Sequence, residues 1–240
     1  MTFSLRNLIT AVFVFTCLLS QYSCGKSNDE SPTSQVMMVH AQPEGSNLSV
    51  EFDNDFLAQD VGYNQHSIYA SVPSGKELLF MVNEIPSDSN ILIAQIKTFS
   101  AGKYYSMLLV PDADYTIAAV IFTDTIARTD TGAVTLRFIH ASPNAGSFDI
   151  NIAGIATDTT LTEIEFDPSK PSDMSVWLYD LDAGVYQFTF LNSLTAETLY
   201  VLNNIPLEAG GSYSIILSGY IPVDGTELPP LSSQVISHRL

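Results

Sequence analysis

The chain has 240 residues, 46% of them hydrophobic, and its 9 Lys+Arg against 26 Asp+Glu give a formal net charge of −17 at pH 7. Phosphate binding depends on clustered cations, so this balance argues against nucleic acid as a partner. The acids are scattered rather than run together, which is the pattern of a solvated surface.

In chain order the first element is a targeting segment. Arg6 precedes an uncharged, largely apolar run from Leu8 to Leu19, too short to span a bilayer and placed where the hydrophobic region of a signal peptide belongs. Ser23-Cys24 follow, and then the polar tract Gly25 to Ser34. A small residue before a cysteine at this distance resembles a lipoprotein signal. That resemblance implies removal of residues 1–23, acylation of Cys24 (palmitate among the chains added) and a tether over 24–34. Gln21 stands where such signals usually carry Leu, and plain cleavage near Ser23 is the alternative. Lys26 to Glu30 also resembles the acidic export tag of Bacteroidetes-type lipoproteins. It implies an outer-membrane protein held through its lipid, on the cell surface or on the periplasmic face. The other cysteine, Cys17, lies in the segment to be removed, so the mature chain has no internal disulfide and no cysteine metal site.

Beyond the tether the chain repeats itself. Val39-His40-Ala41-Gln42-Pro43 matches Ile139-His140-Ala141-Ser142-Pro143, Val72 to Gly75 matches Leu181 to Gly184, and Phe99-Ser100-Ala101-Gly102 with Tyr105-Ser106 matches Leu207-Glu208-Ala209-Gly210 with Tyr213-Ser214. Three matches in one order predict two homologous domains, 35–127 and 132–240, joined by Arg128 to Thr131. Within each copy, apolar residues alternate with period two: Val134, Leu136 and Phe138 share one face, and Thr135 and Arg137 the other. Glycine-containing turns separate such runs. The expected fold is all-β: two tandem antiparallel β-sandwiches, Ig-like, of about seven strands each. Tyr105 and Tyr213, three residues after a corner glycine, are placed to fold their hydroxyls back onto that corner.

Arg137-Phe138-Ile139-His140-Ala141-Ser142-Pro143-Asn144-Ala145, with Ala183-Gly184-Val185-Tyr186 and Ala209-Gly210-Gly211-Ser212-Tyr213-Ser214, resembles the domain of unknown function 4397 family. Its members often come in tandem on bacterial lipoproteins. The resemblance implies a β-rich extracellular domain, with no activity or catalytic residue to carry over. The first copy is the weaker match, with Gln42 where the second has Ser142.

His40 and His140 occupy equivalent positions, and parity puts His140 on the inward face. A structural role, bonding the turn that follows, accounts for the recurrence. The chain has no Gly-x-Ser-x-Gly elbow, no phosphate loop and no His-x-x-x-His spacing, so no cofactor, metal or catalytic residue is assigned. Asp53-Asn54-Asp55 and Asp112-Ala113-Asp114 complete no calcium loop and read as solvated turns. The second copy is longer between Ile152 and Gly184, so a ligand loop is expected there, carrying Asp158, Glu163, Glu165 and Asp167, with Trp177 beyond it. These residues point to a non-catalytic lipoprotein module for binding, adhesion or spacing at the envelope, with a protein or glycan partner. A cell-surface hydrolase is the alternative.

Overall fold

The computed structural model of the protein describes residues 31–86, 90–112, 116–127, 132–154, 159–223, 225 and 227–239. Pro32 to Leu240 form one compact unit. The described residues hold seventeen strands and no helix.

The first repeat contributes β1 (Thr33–His40), β2 (Leu48–Phe52), β3 (Asp55–Val61), β4 (Gln65–His66), β5 (Ala70–Pro73), β6 (Glu77–Glu84), β7 (Ile91–Thr98), β8 (Tyr104–Pro111) and β9 (Ile117–Thr123). The second contributes β10 (Val134–Ala141), β11 (Phe148–Ala153), β12 (Thr159–Ile164), β13 (Ser175–Leu181), β14 (Gly184–Asn192), β15 (Thr198–Leu207), β16 (Ser212–Ser218) and β17 (Ser232–Ser237). Each repeat is a sandwich of two sheets. In the first the orders are β4-β1-β8-β9, with β5 also on β1, and β3-β2-β6-β7; in the second they are β13-β10-β16-β17 and β12-β11-β14-β15. The counts exceed seven because the connection after β3 makes two short strands on β1, and because β1 and β10 each join the middle of a sheet.

One pairing in each copy departs from an all-antiparallel reading. β1 runs parallel to β8, and β10 parallel to β16. Hairpins force antiparallel pairing only on strands adjacent in sequence, and between β1 and β8 the chain crosses to the other sheet for β2 and β3, returns for β4 and β5, and crosses again for β6 and β7.

The sheets that hold these parallel pairs are buried on both faces. Met38, Met107 and Leu109 point into the first sandwich core, while Met37, Val39, Leu108 and Val110 point out of it. In the second repeat Phe138, Ile215 and Leu217 point into that sandwich's core, while Ile139 and Ile216 point out. The two outward faces meet, and Val120, Phe122, Met174 and Ile236 complete an apolar layer between them. The molecule is therefore four sheets deep with three cores. The outer sheets keep one wet face, and the solvent-exposed residues of β6 and β14 alternate with buried ones accordingly.

The Ala-Gly-x-x-Tyr corners are hydrogen-bonded. The Tyr105 hydroxyl accepts from the Ser100 N–H at 3.2 Å, and that of Tyr213 from the Glu208 N–H at 3.1 Å. Gly102 and Gly210 sit at φ +67° and +70°, the left-handed region that the corner needs. At Gly211 a β-carbon would lie 2.3 Å from the Tyr213 ring, so the folded-back tyrosine admits only glycine there.

Candidate functional site

Parity places Arg137 of β10 on the outward face of its sheet, as its alternation requires, but that face is covered by the first repeat. Its side chain is 1% exposed and forms an ion pair with Asp124, just after β9, at 2.6 Å. Burying two charges costs several kcal/mol each unless every polar atom finds a partner. Here the partners are supplied. The guanidinium also donates to Thr123 O at 3.2 Å and to Ser214 Oγ at 3.0 Å, and its plane lies between the rings of Phe122 and Trp177, 5.2 and 4.8 Å from their centroids. The second oxygen of Asp124 accepts from Ser106 Oγ at 2.7 Å and from the Tyr69 hydroxyl at 2.8 Å.

His238 closes the circuit. Tyr69 spends its one proton on Asp124, so His238 Nδ1 donates to the Tyr69 oxygen at 2.7 Å, leaving Nε2 to accept from Ser214 Oγ at 2.7 Å. A serine donating to a histidine nitrogen is the geometry of a nucleophile and its base. Neither has a route to a substrate, because Ser214 and His238 are both fully buried between the sandwiches. Burial, with a smaller contribution from Arg137 and against the pull of Asp124, lowers His238 to about 4, so the ring is neutral. The Tyr69 hydroxyl is pushed up by burial and by the Asp124 carboxylate. Sequence reading did not reveal this cluster, since Tyr69, Asp124, Ser214 and His238 stand far apart in the chain. Its one visible signal is an arginine inside a largely apolar strand.

The paired histidines are also interior. His140 donates from Nε2 to Gly146 O at 2.7 Å and accepts the Ser142 N–H on Nδ1 at 3.2 Å, and burial lowers it to about 4. His40 donates from Nδ1 to Val61 O at 2.9 Å, its Nε2 is buried without a hydrogen-bond partner, and burial lowers its pKa.

The acids of the longer connection do not form one cluster with Trp177. Asp158 lies outside the described residues. Glu163 is on the edge strand β12 at φ +58°, its N–H bonded to Asp149. Asp167 accepts from the N–H and hydroxyl of Ser169 and pairs with Lys170 at 3.0 Å; these contacts, Ser169 first, hold its carboxyl down at about 2. The Glu165 N–H bonds Asp173 O in the same turn. These groups fix the shape of their own loop. Trp177 is on β13, its ring over Arg137 and stacked on Tyr179 with centroids 5.8 Å apart. Among the described residues no three His, Cys, Asp or Glu side chains gather into a metal-binding group.

An open concavity of about 430 Å³ lies at the far end of the first sandwich, where β1 and β8 finish. Its lining includes Gln42, Glu44, Leu48, Glu84, Leu92 and Ile117. Hydrogen bonds from Asn90 and then from Ser46 hold the Glu84 carboxyl below its usual range, so the rim is anionic.

The family profile described as "Domain of unknown function (DUF4397)" matches residues 34–151. That region belongs to the DUF4397 family. The match covers the first repeat in full and runs into β11, so the copy that reads as the weaker one carries the family pattern across its whole length. No curated protein matches the sequence. Among solved structures, the chain is similar to a provisionally assigned adhesin from Bacteroides ovatus, at 10% identity over 90% of this chain and 98% of that one, with TM-score 0.28. A provisionally assigned cell adhesion protein from Bacteroides eggerthii gives 8% identity, 87% and 96% coverage and TM-score 0.27. A family 26 carbohydrate-binding module from Eubacterium rectale Amy13K, in complex with maltoheptaose, gives 9%, 84% and 96%, and 0.25. At these scores the likeness assigns no function.

Two outcomes follow from the buried groups. Replacing Arg137 with Ala strands the Asp124 carboxylate, and denaturant unfolding is expected to show a loss of about 3–5 kcal/mol. His140 and His238 titrate near 4 when folded against 6.5 in the unfolded chain, so their stabilisation is whole above pH 6.5 and is lost as pH falls toward 4. At pH 5 the loss is about 2 kcal/mol per histidine. The melting temperature is expected to fall between pH 7 and pH 5, and less steeply in a His140→Gln variant.

Proposed function

We propose that the protein is a non-catalytic binding or adhesion module of the cell envelope, held on the outer membrane by a lipid on Cys24, with a protein or glycan as its partner. The observation that supports this most is the sealing of Ser214 and His238: the one nucleophile-and-base geometry described above faces the other sandwich and not solvent. Catalysis needs the reacting groups within hydrogen-bond reach of a substrate. Here the same groups serve as struts between sheets. His40 and His140 are likewise interior. What the body offers to solvent is loops on a rigid four-sheet scaffold, the usual place for binding residues.

The envelope placement rests on the Leu8–Leu19 run, Ser23-Cys24 and the Lys26–Glu30 tract, all outside the described residues. No helix among the described residues is long and apolar enough to cross a membrane. A lipid on Cys24, followed by a polar tether that reaches β1 at Thr33, would hold the first sandwich close to the bilayer.

The test is metabolic labelling with palmitate and protease treatment of intact cells. Label is expected in the wild-type chain and absent from Cys24→Ala, and the wild-type chain is expected to be digested from outside. Label retained by Cys24→Ala would overturn the anchor, and a protected chain would overturn the surface placement.

A further inference from the structure

The two sandwiches are copies, so each shows how the other's ends can be finished. At the end where β10 and β16 stop, the second sandwich is closed by its own chain. After β16 the chain meets Asn144 at Ile221, and the Asn144 side-chain amide grips that backbone in both directions: Nδ2 donates to Ile221 O at 2.9 Å and Oδ1 accepts the Ile221 N–H at 2.8 Å. Beside it Ala145 is buried and Leu199 packs on the second core.

Among the described residues the first sandwich has no such cover. Its matching connection is only 112–116, Glu44 stands at the position of Asn144, and Gly45 at the position of Ala145 is exposed. Leu92, which strand register equates with Leu199, is 38% exposed. The concavity of about 430 Å³ occupies this uncovered end. Gln42, which replaces Ser142, lines it, is 7% exposed, and has a buried amide oxygen with no hydrogen-bond partner.

We propose that this end of the first sandwich docks an extended peptide of a partner protein that carries a cationic side chain beside an apolar one. Three features select that occupant. At the equivalent end of the second sandwich Asn144 holds the backbone of Ile221, so a backbone segment fits there. Glu44 and Glu84 flank the hollow and none of its lining residues is cationic; a carboxylate at the place of Asn144 accepts an N–H or an ammonium but has no donor for a carbonyl. Lastly, β7 runs from this hollow as a free sheet edge. Of the outer-sheet edge strands, β3, β12 and β15 each carry a residue of positive φ, Asp60, Glu163 and Asn204, whereas β7 carries none, its one register slip against β6 falling at Leu92, and it exposes Ile91, Leu92 and Ile96. Beyond that slip Ile93 to Thr98 keep an unbroken ladder, and such an edge accepts an added strand.

The inference rests on the binding-module reading and is tested apart from it. The probe is a dye-labelled, capped Lys-Tyr-Ile-Lys-Val-Lys peptide built on the Tyr220-Ile221 pair, titrated into the full chain and followed by anisotropy. Saturable binding is expected, weakening as salt is raised, about tenfold weaker to Leu92→Asp and to the Glu44→Gln/Glu84→Gln double variant, and absent for a peptide with Glu in place of Lys. The substituted side chains reach solvent, so an unchanged melting temperature confirms that each variant is folded. Absent binding, equal binding by the variants, or binding of maltoheptaose that Leu92→Asp abolishes while the peptide does not bind would each overturn the proposal. Such a failure, with labelling and surface exposure intact, would remove this inference alone.

Discussion

The fold depends on what happens where the outward faces of the two inner sheets meet. An apolar face of this kind binds without preferred direction, because hydrophobic contact is proportional to area and indifferent to register. Arg137 and Asp124 remove that freedom. One stands on β10 and the other just after β9, so their pair joins the copies directly, and each arm of it is completed by a residue from elsewhere: Ser106 and Tyr69 from the first repeat, Ser214 and His238 from the second. A buried pair adds little net stability once desolvation is counted, but any sliding of one sheet over the other would leave a charge in an apolar layer. The circuit sets the register of the sandwiches, and the surrounding apolar contacts supply the energy.

That division of labour explains why the conspicuous chemical groups are buried away from solvent. A histidine kept neutral by burial, with a serine proton on one nitrogen and a tyrosine oxygen on the other, has its hydrogen bonds satisfied and its access closed. With the interior committed to holding four sheets together, the copies differ most in length in their connections. The longer 165–174 turn spends its acids on its own geometry, and the end of the first sandwich carries an open concavity.

Much of this was legible in the sequence, and what was not has definite physical causes. Period-two alternation identified the strands, the repeat identified two copies, and the recurring His-Ala and Ala-Gly-x-x-Tyr patterns fall on interior hydrogen bonds and on corners. Double burial of the inner sheets had a signal that alternation alone overlooks: Met37-Met38-Val39 and Met107-Leu108-Leu109-Val110 are continuous apolar runs, as strands covered on both faces require, whereas β6 alternates. The facing of Arg137 was readable from parity, but not that a second sandwich would cover it. The circuit itself joins Tyr69, Asp124 and His238 across more than half of the chain, and no local pattern links them. Parallel pairing of β1 with β8 was hidden for the same reason, since it belongs to strands that are neighbours only in space.

The central claim is that the two repeats are one cooperative body held in register by the Arg137–Asp124 circuit. Native-state hydrogen exchange measures this most directly, because it reports the opening free energy of each strand separately. The account predicts that the slowest amides of β1 and β8 and those of β10 and β16 share one opening free energy, and that Arg137→Ala lowers both sets together. Two distinct values in the wild-type chain, or a loss confined to the second repeat in the variant, would contradict it.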